Sequence, residues 1–119
     1  MNLVILHGFV PNPPQIRKTS KKGMDVANFS IGVEKAKKSK TQNQDATLYI
    51  KVVAWGRQAQ VCAQYLKPGS TVLVQGHLEE ISWTGKDGVE HKEFQVSLEY
   101  IRFTGKKLSK DIEEKEISW

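Results

Sequence analysis

Residues 48–55 read Leu48-Tyr49-Ile50-Lys51-Val52-Val53-Ala54-Trp55, and a period of two in an extended chain sorts them onto opposite faces. Leu48, Ile50, Val52 and Ala54 form an apolar face expected to point inward; Tyr49, Lys51, Val53 and Trp55 form the other. A row of aromatic, cation, apolar residue and aromatic suits a single-stranded nucleic acid, because bases stack on flat rings while phosphates seek positive charge. At about 3.3 Å per residue the two rings stand roughly 20 Å apart, room for several nucleotides. The competing reading is that both rings pack against a neighbouring element, since aromatics are common on strands.

Upstream, Ala27, Phe29, Ile31 and Val33 alternate into a second strand with an inward face. Leu3 to Val10 is nearly continuously apolar, which predicts a strand covered by the core, by another subunit, or by both. Pro11, Pro13 and Pro14 end it, and residues 17–23 read as a basic turn. Residues 34–45 hold Lys35, Lys37, Lys38 and Lys40 and no large apolar side chain, the composition of a solvated loop. Downstream of Gly56, residues Ala59, Cys62, Ala63 and Leu66 recur at helical spacing until Pro68-Gly69 stops the helix.

Residues 71–83 are long for one strand. Val72, Val74, Gly76 and Leu78 share a parity that Ile81 and Trp83 break, which suggests a bulge or coil near Gly76. Residues 84–90 contain Asp87-Gly88 and read as a hairpin turn. The return strand carries Phe94, Val96 and Leu98 on one face, then Ile101 and Phe103 after another parity change. The order is five strands with one short helix after the third, an all-β pattern that matches the OB fold, a partly open Greek-key barrel. An immunoglobulin-type sandwich needs about seven strands, more than these.

The 119 residues suffice for one domain with a core. Net charge is +5, but Asp111, Glu113, Glu114 and Glu116 against Lys115 make residues 111–119 −3, leaving +8 on the rest. A positive body favours polyanions, though it can equally be a soluble surface. The single cysteine, Cys62, excludes an intrachain disulfide and a Cys-rich zinc site, and its apolar neighbours mark it as a packing residue. No apolar run is long enough to span a bilayer and no signal-peptide pattern opens the sequence, so a cytoplasmic protein is expected.

Several spaced motifs, taken together, resemble the bacterial single-stranded DNA-binding protein family from Asn2 to about Thr104. They are Val4-Ile5-Leu6-His7-Gly8, Val26-Ala27-Asn28-Phe29, Val52-Val53-Ala54-Trp55-Gly56-Arg57, Ala63-Gln64-Tyr65-Leu66-Lys67-Pro68-Gly69-Ser70, Val74-Gln75-Gly76-His77-Leu78 and Trp83-Thr84-Gly85-Lys86-Asp87-Gly88. The resemblance implies an OB domain over residues 1–104, homotetramers, and sequence-independent coating of single-stranded DNA in replication, recombination and repair. It places Tyr49, Trp55 and Trp83 at stacking positions and Arg17, Lys51, Arg57 and Lys67 at basic ones, with Lys35, Lys37 and Lys38 nearby.

Three departures stand out. A fourth aromatic position of the family falls near Lys37, and Glu79, Glu80, Ile81 and Ser82 stand where the family often has basic residues. Carboxylates there would repel phosphates. The family's long Gly-, Gln- and Pro-rich linker shrinks to residues 105–110. The end still resembles the family's acidic, partner-binding tip: Asp111, Glu113, Glu114 and Glu116, then Ile117-Ser118-Trp119, so replication and repair proteins are the expected partners.

His7, His77 and His91 lack metal-ligand spacing, and no phosphate loop or nucleophile elbow is present. The chain reads as a non-enzyme without cofactor or metal. The nearest rival is an OB-fold accessory protein of the primosome that acts mainly by protein interaction; a nuclease on this fold is a third class, for which no residues are seen.

Overall fold

The computed structural model describes residues 1–19, 23–34, 47–105 and 117–118. Its elements are β1 (Val4–Phe9), β2 (Gln15–Lys18), β3 (Asp25–Glu34), β4 (Thr47–Trp55), α1 (Arg57–Tyr65), β5 (Thr71–Thr84), β6 (Glu90–Phe103) and β7 (Ile117–Ser118). Neighbouring strands follow the order β1-β5-β6-β4-β3-β2, and β1 also meets β3 at Phe9 and Gly32. The five long strands thus curl into a ring closed by one short contact, the partly open barrel of the OB fold. The β4–β6 seam is parallel and short, through Val52–Val96 and Val53–Ser97.

The inward parity of β3 is as expected. Ala27, Phe29 and Ile31 are buried and join Val52, Ala54, Val72, Val74, Val96, Leu98 and Ile101 in one core. In β4 the inward face holds from Ile50 to Ala54, but Leu48 is 46% exposed, because the strand begins beyond the end of the core. Val53, on the opposite face between Asn28 and Ser97, is buried. Helix α1 closes the barrel with Ala59 and Cys62, followed by Leu66; these lie at i, i+3 and i+7, whereas Ala63 turns outward to solvent. Burial pushes the Cys62 thiol pKa from 9.0 up to about 12.

Two features differ from the sequence reading. Residues 15–18, of which Arg17 and Lys18 were expected in the basic turn, form the extra strand β2, pairing with the start of β3 from Gln15–Asn28 to Lys18–Asp25. Its four residues are all exposed, so it is held by backbone pairing with no burial signal. The helix is therefore preceded by four strands, three of them barrel strands. Strand β5 runs unbroken from Thr71 to Thr84; the irregularity at Gln75/Gly76 lies in its partner, where Glu99 is the extra residue. That bulge changes the parity of β6 and returns Ile101 to the core after Leu98. Gly76 has no alternative there, since a Cβ would strike the Ser97 carbonyl oxygen.

Candidate nucleic-acid interface

Register assigns a common face to alternate residues of five strands. Arg17 of β2 faces Val26 of β3, which faces Trp55 of β4, so the guanidinium-bearing position and the indole lie in one row. The next row contains Gln15, Asn28, Val53 and Ser97. A third contains Ser30 and Lys51, with Gln95 abreast and Glu79 opposite Gln95. Asn12, Pro13, Gln15, Asn28, Ser30, Lys51, Ile81 and Gln95 are among the residues lining a groove of about 380 Å³ along this face.

Tyr49 and Trp55 flank Lys51 along β4, exposed by 58% and 41%. The Tyr49 ring is set by Phe9, whose ring meets it edge-on at 6.3 Å and also covers Gly32, where a Cβ would collide with it. Gly56, at φ 61, lets the chain turn from Trp55 into α1, and its N–H donates to the Asp25 carbonyl oxygen at 2.7 Å. That bond ties Trp55 to the start of β3. Arg57 follows as the exposed first residue of α1.

Ile81 and Trp83 do not return to the core. Beyond the end of β1, the β5–β6 hairpin carries Glu79, Ile81 and Trp83 opposite Gln95, Glu93 and His91 on the groove side. Trp83 is 45% exposed and stacks on His91. The turn is a hairpin as expected, with Gly88 at φ 76 and the Gly85 N–H bonded to the Val89 carbonyl.

The structure thus brings Arg17, Tyr49, Lys51, Trp55 and Trp83 to one surface. Lys67 lies elsewhere, exposed in the turn past α1 where the Gly69 N–H donates to the Val10 carbonyl at 2.7 Å. Lys35, Lys37 and Lys38, and Asp111, Glu113, Glu114, Glu116 and Trp119, lie outside the described residues. Ile117 is in β7, whose backbone pairs with β6 through Ile117–Ile101 and Ser118–Tyr100.

Of the two adjacent carboxylates, only Glu79 faces the groove; Glu80 lies opposite Phe94 on the other side of the hairpin. A carboxylate that the sequence reading missed takes the second place. Glu93 accepts from Lys51 Nζ at 2.6 Å. Gln15, Asn28, Ser30, Gln95 and Ile81 were missed too, because their common face appears only once the strands are paired.

This face combines exposed rings with polar and cationic side chains on an OB barrel. The profile of the single-strand binding protein family matches residues 1–104, and the chain belongs to that family. It is similar to single-stranded DNA-binding protein 2 of Chlorobaculum tepidum, with 33% identity over 90% of this chain and 73% of the relative. Single-stranded DNA-binding protein 3 of Clostridium acetobutylicum shares 30% identity over 87% of this chain and 70% of its own length. The single-stranded DNA-binding protein of Bacillus cereus shares 35% over 87% of this chain and 59% of its own.

Proposed function

We propose that this protein binds single-stranded DNA without sequence preference and coats exposed strands during replication, recombination and repair. The observation that carries the reading is the line Tyr49, Lys51, Trp55 along one strand, with Arg17 in the row of Trp55 across Val26 and Trp83 on the hairpin of the same face. Bases stack on the rings, phosphates meet Arg17, Lys51 and Arg57, and bound bases are withheld from pairing. Lys35, Lys37 and Lys38 add positive charge, and Lys67 contributes only to the general field. The action is passive binding with no catalytic step or cofactor. Family membership and the names of the relatives support the single-strand preference.

The same reading takes the protein as a cytoplasmic, nucleoid-associated homotetramer whose acidic tip, residues 111–119, recruits replication and repair proteins. Leu3, just before β1, and Ile5 in β1 support an assembly: they are 52% and 55% exposed, an apolar pair that a second copy would cover. No helix among the described residues is long and apolar enough to cross a membrane. Anisotropy of a labelled dT oligonucleotide, competed with unlabelled single strand or duplex, tests the function. Displacement by single strand at far lower concentration than by duplex is expected; equal displacement would reject it.

A further inference from the structure

Strand parity puts two carboxylates, Glu79 and Glu93, on the groove face, and each is held by a hydrogen bond. Lys51 Nζ donates to Glu93 Oε2 at 2.6 Å, and Gln95 Nε2 donates to Glu79 Oε1 at 2.7 Å. Lys51 and Gln95 each precede a member of the Val52–Val96 pair, and Glu79 is the register partner of Gln95. One polar row therefore crosses β4, β6 and β5. In it the lysine between the two β4 rings already has an anion.

We infer that Glu93 is a resident competitor for the phosphate at Lys51 and sets the affinity and salt response of the whole face. The inference rests on the single-strand reading above. A strand lying along the groove either displaces Glu93 from Lys51 or shares the lysine with it. The pair is exposed, with 59% of the Lys51 side chain and 39% of the Glu93 side chain accessible. An ion pair this wet is weak enough for a phosphate to exchange into, yet it still opposes binding. A carboxylate left beside a phosphate also retains a cation, so fewer counterions are released than the number of basic residues implies. Glu79, fixed by Gln95, keeps the neighbouring stretch from compensating. The groove-side residues of the hairpin, Glu79, Ile81 and Trp83 opposite Gln95, Glu93 and His91, include no Lys or Arg, so the hairpin offers stacking through Trp83 and the strand is held chiefly on the β2–β3–β4 side.

Glu80 supplies the control, because it carries the same charge one residue from Glu79 but on the opposite side of the hairpin. The wild type, Glu93→Gln and Glu80→Gln would be titrated with a dT oligonucleotide over a series of salt concentrations, with circular dichroism confirming the fold. Glu93→Gln is expected to tighten binding roughly three- to fivefold at low salt. Its plot of log K against log salt is expected to steepen by about 0.7, the release from one more neutralised phosphate. Glu80→Gln is expected to shift both far less. Equal effects of the two substitutions, or none from Glu93→Gln, would overturn the inference while wild-type binding stands. Absence of dT binding by the wild type would overturn the single-strand reading and this inference with it.

Discussion

The indole of Trp83 lies nearly parallel to the imidazole of His91, with ring centroids 5.4 Å apart and planes at 19°. Asp87 Oδ1 stands 3.6 Å from His91 Nε2 on the other arm of the hairpin turn. His91 backs one side of the indole, and the 45% of Trp83 left accessible is available to a base. Trp83→Ala is expected to cost about 1–3 kcal/mol of dT binding, the range for one stacked base. Thermal melting should scarcely change, because the ring lies outside the core; affinity and melting measured on one preparation separate the two.

Trp55 is fixed differently, by the Asp25–Gly56 backbone bond and by its strand pairing with Val26. Trp55→Ala is expected to weaken dT binding by a similar 1–3 kcal/mol with the circular dichroism spectrum unchanged. Unchanged affinity in calorimetric titration would remove Trp55 from the site.

Gly76 packs against the Ser97 carbonyl beside the Glu99 bulge, where any side chain collides with backbone. Gly76→Ala is expected to destabilise the domain by about 3 kcal/mol, at the upper end for overpacking, because a carbonyl in a paired strand cannot move aside. Urea unfolding measures it.

Cys62 has its thiol pKa pushed from 9.0 up to about 12 by burial. The folded state therefore favours the neutral thiol. Stability from this group is intact below about 9 and falls as pH rises from there through about 12, because the unfolded chain ionises first. At neutral pH, alkylation is expected to be slow in the native protein and fast in denaturant, as a thiol-reagent time course would show.

Leu3, just before β1, and Ile5 within it leave two exposed apolar side chains at the start of that strand. Ile5→Glu is expected to shift the protein to smaller species in sedimentation velocity without unfolding it, since the side chain points away from the core. An unchanged distribution would place any interface elsewhere.

The parts legible in the sequence were those written in period two with a buried side. Ala27, Phe29 and Ile31, then Val52 and Ala54, announced two barrel strands because each buried every second residue. Strand β2 was hidden: Ile16 is its one apolar residue and is 45% exposed, so nothing marks the strand but its pairing with β3. The parity change after Leu98 was visible, but which strand held the extra residue depends on the register between β5 and β6. In the candidate site the aromatic and cationic pattern of β4 was local and readable. Glu93 was not, because its partner Lys51 is 42 residues away and the two meet only through the short parallel seam of β4 and β6. Neighbouring Glu79 and Glu80 looked equivalent until strand geometry sent them to opposite sides.

Tryptophan fluorescence during titration with dT oligonucleotides of increasing length, at two salt concentrations and with a matching duplex as control, tests the central claim most directly. Two of the three tryptophans, Trp55 and Trp83, lie on the groove face. Strong quenching by single strands, a weak response to duplex and affinity that falls with salt are expected from stacking joined to phosphate contact. Equal responses to single strand and duplex, or quenching that single strands do not produce, would contradict the account.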